Sequence, residues 1–486
     1  MNNIFRNASF LIFARGAQSF ISLITIMLLS RVLIINEYGM YRQFIFYGEL
    51  ICSLVVMGFP MSGSFFLAKT NQRDQFESIA NKILFSLFFL ALLAVLLFYS
   101  LTNLNFITYN FSSFLFPFLF FLLFRVLNTF FDSPFIVLNK TKELVYINVI
   151  IGLITLSVIA VYVWIFREYS IIIYGITSIQ IVRFFLFLII YTKSVRSLPC
   201  DNTSNIDVNY RDIIKFSFPL GLTALIGKIN LYVDKLFVTY LLPVELFAIY
   251  SNGAIELPFI GIITGSITSS LLPAYSKFLS EDKPFEEKVF NVISHWKKSG
   301  IIISTILFPL FMVVLIHYKF IVVFLYSETY IASAIIFLIY QLRLPVRALS
   351  YGSILMSFEK SHLITINSTI SLFFNLIFNY IGFHFLGIKG LAIATVLTVY
   401  CMAILQIFQI LKVTKISFRE LFPLVEFVKI FFISFLIMLP FYAVSKIFPM
   451  NYISILLIIM QFIISIIIFK KMEFFPRNIF KRNKIN

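Results

Sequence analysis

Long apolar stretches alternate with short polar segments along almost the whole chain, and this pattern predicts a helical membrane protein. Each stretch has about 20 residues or more, the length at which an α-helix crosses the hydrocarbon core of a bilayer. Turn residues and charges bound fourteen stretches, named spans 1 to 14 in chain order: 10–33, 42–66, 79–101, 112–139, 145–166, 170–192, 213–241, 246–272, 299–318, 331–356, 363–385, 388–411, 423–446 and 450–470. We therefore expect an all-α integral membrane protein with about fourteen transmembrane helices.

The composition excludes a water-soluble fold, because 60% of the residues are hydrophobic and only 13% are charged. A soluble domain carries about 25% charged residues. The three cysteines and four histidines are dispersed without paired or metal-type spacing, so we expect no disulfide framework, metal site or cofactor. Span 1 contains Arg15 and lacks a small-x-small cleavage site, so we expect a retained helix rather than a signal peptide.

The net charge of +17 is distributed unevenly between the two sides that an alternating topology predicts. With an inside N-terminus, the predicted cytoplasmic segments hold 25 Lys and Arg residues and the outer segments hold 6. This bias follows the positive-inside rule of membrane proteins. It indicates that both termini are cytoplasmic, and it explains most of the positive charge without a nucleic-acid partner.

One polar inner segment, 198–212, is typical of a linker and divides the chain. We expect a six-span bundle at 1–197, a second six-span bundle at 213–415, and two appended spans with a basic tail at 416–486. A second inner segment, 277–298, is rich in charge and predicts a short amphipathic helix.

The two bundles resemble each other in sequence at equivalent places. Gly-Met-Tyr at 39–41 follows span 1 as Ala-Ile-Tyr at 248–250 follows span 7. Asn-Lys-Thr-Lys at 139–142 ends span 4 as Phe-Glu-Lys-Ser at 358–361 ends span 10. Two six-span halves that both start inside predict a parallel repeat about an axis along the membrane normal, an arrangement found in transporters.

Cations within the spans are the first candidate functional residues, because each costs about 2.5–3.5 kcal/mol if it faces lipid near a helix centre. The candidates are Arg15, Arg125, Lys228, Arg343 and Arg347. Arg125, Asn128 and Asp132 lie at i, i+3 and i+7 on one face of span 4. Arg343 and Arg347 lie at i and i+4 on span 10, its repeat partner. We expect these cations to line a water-filled, substrate-facing cavity; the alternative is purely structural ion pairing.

A second set of charges within the spans suits either ion coupling or structural pairing: Glu49, Asp132, Asp234, Lys235 and Glu256. Glu49 and Glu256 occupy roughly equivalent places in spans 2 and 8, where each can pair with a cation of its own half. Asp234 and Lys235 are adjacent, so their side chains point about 100° apart on a helix and each needs another partner.

A cationic cavity favours an anionic substrate such as a phosphate or pyrophosphate, because the planar fork of Arg binds phosphate oxygens in pairs. The sequence has no GxxxxGK[ST] motif, so ATP-driven pumping by this chain is not expected. No large outer loop carries paired carboxylates or a Ser/His arrangement. These observations favour transport over catalysis, and we expect the chain not to be an enzyme.

Several short motifs, in order and spacing, resemble Wzx-type polysaccharide flippases of the multidrug/oligosaccharidyl-lipid/polysaccharide (MOP) exporter superfamily. They lie at 30–41, 234–238, 248–251, 271–277, 379–382 and 386–395. The resemblance covers spans 1 to 12, whereas spans 13 and 14 match only in hydropathy. It implies two six-helix bundles in a V, with a central cavity that opens alternately to each side of a bacterial inner membrane.

The resemblance also implies a substrate, an undecaprenyl-pyrophosphate-linked oligosaccharide such as an O-antigen repeat unit of lipopolysaccharide, flipped from the cytoplasmic to the outer leaflet. Polysaccharide polymerase and chain-length proteins are the implied partners. Three alternatives stay open. A lipid II flippase shares fourteen helices and a cationic cavity. A cation-coupled drug exporter typically carries an Asp in its first helix, where this chain has Arg15. A membrane-embedded glycan polymerase or transferase is disfavoured by the short outer loops.

Overall fold

The computed structural model describes residues 2–70, 72–104, 112–162, 168–199, 208–447, 453–472 and 474, and side chains from residue 18 onward with few exceptions. Within these ranges the chain forms α-helices joined by short turns, with no β-strand. The helices are α1 (Asn2–Val32), α2 (Ile35–Val55), α3 (Phe59–Leu67), α4 (Arg73–Asn103), α5 (Leu115–Asn128), α6 (Asp132–Val137), α7 (Thr141–Val161), α8 (Tyr169–Arg196), α9 (Tyr210–Leu241), α10 (Val244–Gly253), α11 (Pro258–Ser280), α12 (Phe285–Tyr326), α13 (Ser333–Gln341), α14 (Tyr351–Ser357), α15 (Ser361–Thr414), α16 (Phe418–Leu421), α17 (Leu424–Ile447) and α18 (Ile453–Lys471). The predicted all-α membrane fold is confirmed.

Two compact units divide the chain. The first comprises 1–232 with 242–248, and the second comprises 233–241 with 249–486. The predicted linker falls largely on 200–207, outside the described residues. The predicted bundle boundaries therefore stay predictions.

The helices that could cross a membrane can be counted within the described ranges. Nine helices within the described ranges are long and apolar enough to cross a bilayer, or eleven if each of two bent pairs is one span. One of the nine, α15, has 54 residues and a non-helical Gly387 (φ 58°, ψ −139°) that divides it where spans 11 and 12 were predicted to meet. At 1.5 Å per residue it is about 81 Å long, more than twice the thickness of a hydrocarbon core. The count of fourteen stays a prediction.

Spans 2 and 10, each predicted as one continuous helix, are bent pairs. Span 2 breaks between α2 and α3 with a bend of 51°, where Met57 and Gly58 both have positive φ. Span 10 breaks between α13 and α14 with a bend of 47°. Pro345 lies in this break, and its ring and missing N–H oppose a continuous helix.

Span 8, predicted as one helix, is divided into α10 and α11. Glu256 lies in the non-helical segment between them, and α11 then begins at Pro258. Proline is favoured at the first position of a helix because its missing N–H would have no partner there.

The short amphipathic helix expected within 277–298 is not a separate element. Instead, residues from Phe285 onward form the first turns of α12, which continues through span 9 to Tyr326. Trp296 explains the continuity: its ring is fully buried against Tyr351 and its Nε1 donates to the carbonyl of Ser350 at 3.0 Å. These buried contacts keep the turns around Trp296 helical, although the charge pattern predicted that the helix of span 9 begins only after them.

The ends of spans 4 and 10 share one local structure. Asn139 has φ 57° and Glu359 has φ 59°, and each residue follows a helix. In both places the next residue donates to a carbonyl five positions back: Lys140 to Phe135 at 2.7 Å, and Lys360 to Leu355 at 2.8 Å. This is the Schellman pattern of helix termination. The sequence similarity of 139–142 to 358–361 therefore reflects the same backbone geometry in each unit.

Candidate functional site

In the first unit, Arg125 on α5 pairs with Glu49 on α2. The guanidinium donates to both carboxylate oxygens, from Nε to Oε1 at 2.7 Å and from Nη2 to Oε2 at 3.0 Å. Gly48 lets the two helices approach, because a Cβ there would lie 2.4 Å from the ring of Phe121. The Arg125 and Glu49 side chains remain 25% and 36% exposed, so the pair is not fully enclosed by protein.

Near this pair lies a cation without a carboxylate. Lys228 on α9 is exposed, and no described Asp or Glu lies within 4 Å of its ammonium group. Tyr232, one helical turn beyond Lys228, packs edge-on against Phe46 of α2 at 5.6 Å. The contact of Tyr232 with Phe46 places Lys228 on the stretch of α9 that faces α2.

In the second unit, two arginines share one carboxylate. Oε2 of Glu256 lies 2.8 Å from Nη2 of Arg347 and 3.5 Å from Nη2 of Arg343. All three residues lie at helix breaks: Glu256 between α10 and α11, and the arginines between α13 and α14. The expected helical stripe on span 10 is therefore a turn followed by a 3-10 helix at Val346–Ala348. Arg347 is 36% exposed, whereas Arg343 is buried and lies over the ring of Tyr340.

Asp234 lies in a buried cluster whose other members the sequence did not indicate. Its side chain is almost fully buried and accepts hydrogen bonds from the hydroxyls of Tyr250, at 2.8 Å, and Tyr340. The backbone N–H of Lys235 donates to Oδ1 at 2.8 Å, and the Lys235 ammonium is 3.9 Å from the same oxygen. The additional partners that Asp234 needed are therefore tyrosines, which stabilise the charge without ion pairing across helices.

The remaining candidates are less fully described. Arg15 belongs to α1, but its side chain lies outside the described residues. Asp132 is the first residue of α6, separated from α5 by a 3-10 turn at Thr129–Phe131. Within the described ranges, no group of three His, Cys, Asp or Glu side chains could hold a metal ion.

Arg183 on α8 is a further charge within the spans; its place near the inner end of span 6 predicted a side chain that reaches to the membrane surface, not a site residue. Its Nε is buried and has no hydrogen-bond partner among the described residues, and its guanidinium lies over the ring of Phe187 at 5.3 Å. One turn earlier, Gln180 accepts from Asn128 at 3.0 Å through its carbonyl and at 3.2 Å through its side chain. The signal available in the sequence was Gln180, which lies three residues before Arg183 and therefore on the same face of the helix.

In the first unit a carboxylate of span 2 pairs with an arginine of span 4, and in the second unit a carboxylate of span 8 pairs with arginines of span 10. In the second unit two guanidiniums share one carboxylate, and in the first an additional lysine is unpaired among the described residues. Both sets are partly exposed and positive. The chain is therefore a helical membrane protein in which each unit carries a net positive group of side chains within its predicted spans.

Comparison with known proteins gives the family. Residues 4–279 match the model of the polysaccharide biosynthesis protein family, and the chain belongs to that family. No curated protein sequence matches the chain.

Solved structures show the same fold at low sequence identity. The lipid II flippase MurJ in an inward closed conformation has 18% identity and a TM-score of 0.68, over 96% of this chain and 99% of that one. An inward-facing multidrug resistance MATE family transporter of the MOP superfamily has 14% identity and a TM-score of 0.57, over 84% and 99%. A mutant of the Vibrio cholerae MATE transporter VcmN has 15% identity and a TM-score of 0.55, over 86% and 98%. The expected MOP-type membrane fold of a flippase or transporter is confirmed.

Proposed function

We propose that this chain flips a polyprenyl-pyrophosphate-linked oligosaccharide, such as an O-antigen or other surface-polysaccharide repeat unit, between the leaflets of a bacterial cytoplasmic membrane. The observation that carries the proposal is the uncompensated positive charge inside the spans. Arg343 and Arg347 share Glu256, while Lys228 has no described carboxylate within 4 Å. A buried or membrane-embedded cation is costly without an anion, so a negatively charged ligand is the expected partner.

A pyrophosphate fits these groups by geometry as well as by charge. Its oxygens can take the same paired hydrogen bonds that Arg125 now gives to Glu49. The carboxylate therefore holds the guanidinium in place when no ligand is bound, and the ligand replaces it. Arg15, Arg125, Lys228, Arg343 and Arg347 are the proposed pyrophosphate-binding residues, and we propose that these groups are exposed alternately to the two sides of the membrane.

The carboxylates have a different proposed role, and Lys235, with its ammonium 3.9 Å from Asp234, is proposed to pair with that residue. Glu49 and Glu256 preserve the orientation of their arginines, and Asp234, held by two tyrosines, stabilises its own unit. Coupling to an ion remains a second role for these acids and for Asp132. Both termini are proposed to be cytoplasmic, with a polysaccharide polymerase and chain-length proteins as partners in the membrane.

Lipid II is the second candidate substrate, because the MurJ structure, described as a lipid II flippase, aligns with nearly the full length of both chains. Lipid II is favoured over a drug or a bare ion because it carries a pyrophosphate, which the proposed cationic groups suit as well as they suit that of the polysaccharide precursor. The two substrates differ in their sugars, so a transport assay must present both.

The test uses the purified chain in liposomes that contain a fluorescent polyprenyl-pyrophosphate-linked sugar. A membrane-impermeant quencher reports the fraction of labelled lipid that reaches the outer leaflet. We expect Arg347→Gln to slow flipping at least tenfold and Arg347→Lys to restore part of the rate. Arg73→Gln, which breaks a partly exposed Arg73–Glu77 pair at the start of α4, is the matched control and should flip normally.

Two results would overturn the proposal. The first is equal flipping by the wild type and by protein-free liposomes for both lipid-linked sugars. The second is release of free polyprenyl pyrophosphate with a lengthened glycan, which would identify a polymerase. Flipping of lipid II but not of the polysaccharide precursor would select the second candidate.

A further inference from the structure

A cavity of about 970 Å³ lies in the second unit, away from the arginine pairs. One wall is the start of α12, from Phe285 to Ile301, and the other is the segment from Thr414 to Glu420 that joins α15 to α17. The lining mixes apolar side chains, among them Phe285 and Phe290, with three lysines: Lys297, Lys298 and Lys415. A cavity of this size can hold a small organic molecule or a lipid headgroup.

The charges of α12 place this cavity at the edge of the hydrocarbon core. Between Lys298 and Lys319 the helix has no Asp, Glu, Lys or Arg. This uncharged stretch is about 31 Å long at 1.5 Å per residue, which equals the thickness of a bilayer core. Lys298 and Lys319 therefore mark its two boundaries, and the turns from Phe285 to Lys298 lie at the depth of the headgroups or beyond.

Three lysines and two glutamates, Glu286 and Glu420, line the cavity, so its formal charge is positive. No described carboxylate lies within 4 Å of the ammonium groups of Lys297, Lys298 or Lys415. Glu420 is occupied by its own helix cap, since its Oε2 accepts from the Ser417 backbone at 2.9 Å and from the Ser417 hydroxyl at 2.8 Å. These hydrogen bonds, with a smaller contribution from Lys297, hold the pKa of Glu420 below its usual range.

The apolar lining argues for an amphiphile rather than a soluble anion. Phe285 is 49% exposed and Phe290 is 70% exposed. Aromatic side chains on the polar end of a membrane helix are stable where acyl chains or headgroup carbons cover them. A soluble phosphate would leave both rings in water.

We propose that this cavity binds the headgroup of an anionic phospholipid, with its phosphate at Lys297, Lys298 and Lys415 and its glycerol carbons against Phe290. Basic pockets at the membrane surface recognise such headgroups by charge, and each nearby cation adds to the affinity. The lipid bridges α12 and the α15–α17 connection, so its binding also stabilises this end of the second unit.

The test follows Trp296, which precedes the lining residue Lys297 on α12 and is one of two tryptophans in the chain. The full chain carries Trp164→Phe, so that Trp296 is the remaining reporter, and is placed in phosphatidylcholine bilayers. Phosphatidylglycerol brominated near its headgroup end quenches Trp296 when it occupies the cavity. We expect half-maximal quenching at a tenfold or more lower mole fraction than with equally brominated phosphatidylcholine.

Charge-matched variants distinguish binding in the cavity from a general electrostatic attraction by the other lysines of the 277–298 segment. The triple variant of Lys297, Lys298 and Lys415 to Gln should lose the preference for phosphatidylglycerol. The control, with Lys277, Lys283 and Lys288 changed to Gln, removes the same charge outside the lining and should retain it.

A cavity-filling variant, Ser294→Phe, provides an independent check if the triple variant is unstable, and it should also abolish the preference. Equal quenching by both lipids in the wild type would overturn the proposal. So would equal loss of preference in the control, or displacement of the brominated lipid by millimolar inorganic phosphate, which would indicate a soluble-anion site.

Discussion

The contact between α9 and the bend of span 2 gives a direct test of the packing around the first-unit site. At Gly221 on α9, a Cβ would lie 2.2 Å from the carbonyl oxygen of Met57 and 2.4 Å from its carbonyl carbon. Non-bonded carbon and oxygen atoms normally remain about 3.5 Å apart. Gly221→Ala must therefore move backbone, and the backbone in question already has positive φ at Met57 and Gly58.

The expected cost follows from two opposing effects. Inserting a methyl group into a packed contact costs about 1–3 kcal/mol, and the upper end applies where backbone rather than a side chain must move. Replacing Gly by Ala inside a helix returns up to about 1 kcal/mol of helix propensity. The net destabilisation from Gly221→Ala should be about 2 kcal/mol. Gly227→Ala, six residues further along α9, has no atom within 4 Å of the new Cβ and should stabilise by up to about 1 kcal/mol.

Reversible unfolding in mixed detergent–SDS micelles, followed by circular dichroism, measures both variants on one scale. The flipping assay gives a second signal, because Glu49 lies two turns before the bend and Lys228 lies two turns after Gly221. Shifts of the same sign for both variants would refute the packing argument. So would a Gly221→Ala protein as stable as the wild type.

Three further substitutions test individual contacts. Glu49→Gln leaves Arg125 without its anion and should destabilise by about 1–2 kcal/mol, less than a fully buried pair because both side chains are partly exposed. Glu359→Gly removes the strain of a left-handed glutamate and should stabilise by about 0.5–1 kcal/mol. Tyr340→Phe withdraws one hydroxyl from the buried Asp234 carboxylate and should cost about 1–3 kcal/mol. The same unfolding measurement reads all three.

Each of these has a matched comparison. Asn139→Gly should change stability little, because Asn tolerates the left-handed region that Glu does not. Tyr240→Phe, at a site 85% exposed, should have no effect. Adding Arg125→Gln to Glu49→Gln should recover part of the loss; purely additive losses would contradict a direct interaction between the two.

Hydropathy predicted the helical membrane fold because the bilayer allows few alternatives to long apolar helices. It also located Gly387, since a short polar or flexible interruption between two apolar runs is visible in sequence. It did not locate the bend at Met57, because a bend in a wholly apolar stretch leaves hydropathy unchanged. Nor did it predict that the turns around Trp296 continue into span 9, because that depends on a ring buried against a distant helix.

The candidate site was only partly predictable for a related reason. Rare charges within apolar spans attract attention, and Glu49 and Glu256 could be matched to cations of their own halves from position alone. The partners of Asp234 could not, because Tyr250 and Tyr340 are 16 and 106 residues away and are two of 24 tyrosines. A tyrosine that donates to a distant carboxylate does not differ in sequence pattern from any other tyrosine, so its partner cannot be predicted from spacing.

The carboxylates in these clusters affect the balance between ligand binding and ligand release that a transport site requires. A site of bare cations would bind pyrophosphate most tightly, but a transporter must also release its ligand on the far side, as in channels where binding strong enough to hold an ion blocks its exit. Glu49 and Glu256 lie where they compete with the proposed ligand for the same guanidinium nitrogens. Under the proposed function, each would lower the affinity of the site and would also remove the cost of an unpaired arginine when the ligand leaves. On this argument the acids are as necessary to turnover as the arginines, and replacing either acid should retain binding while slowing release.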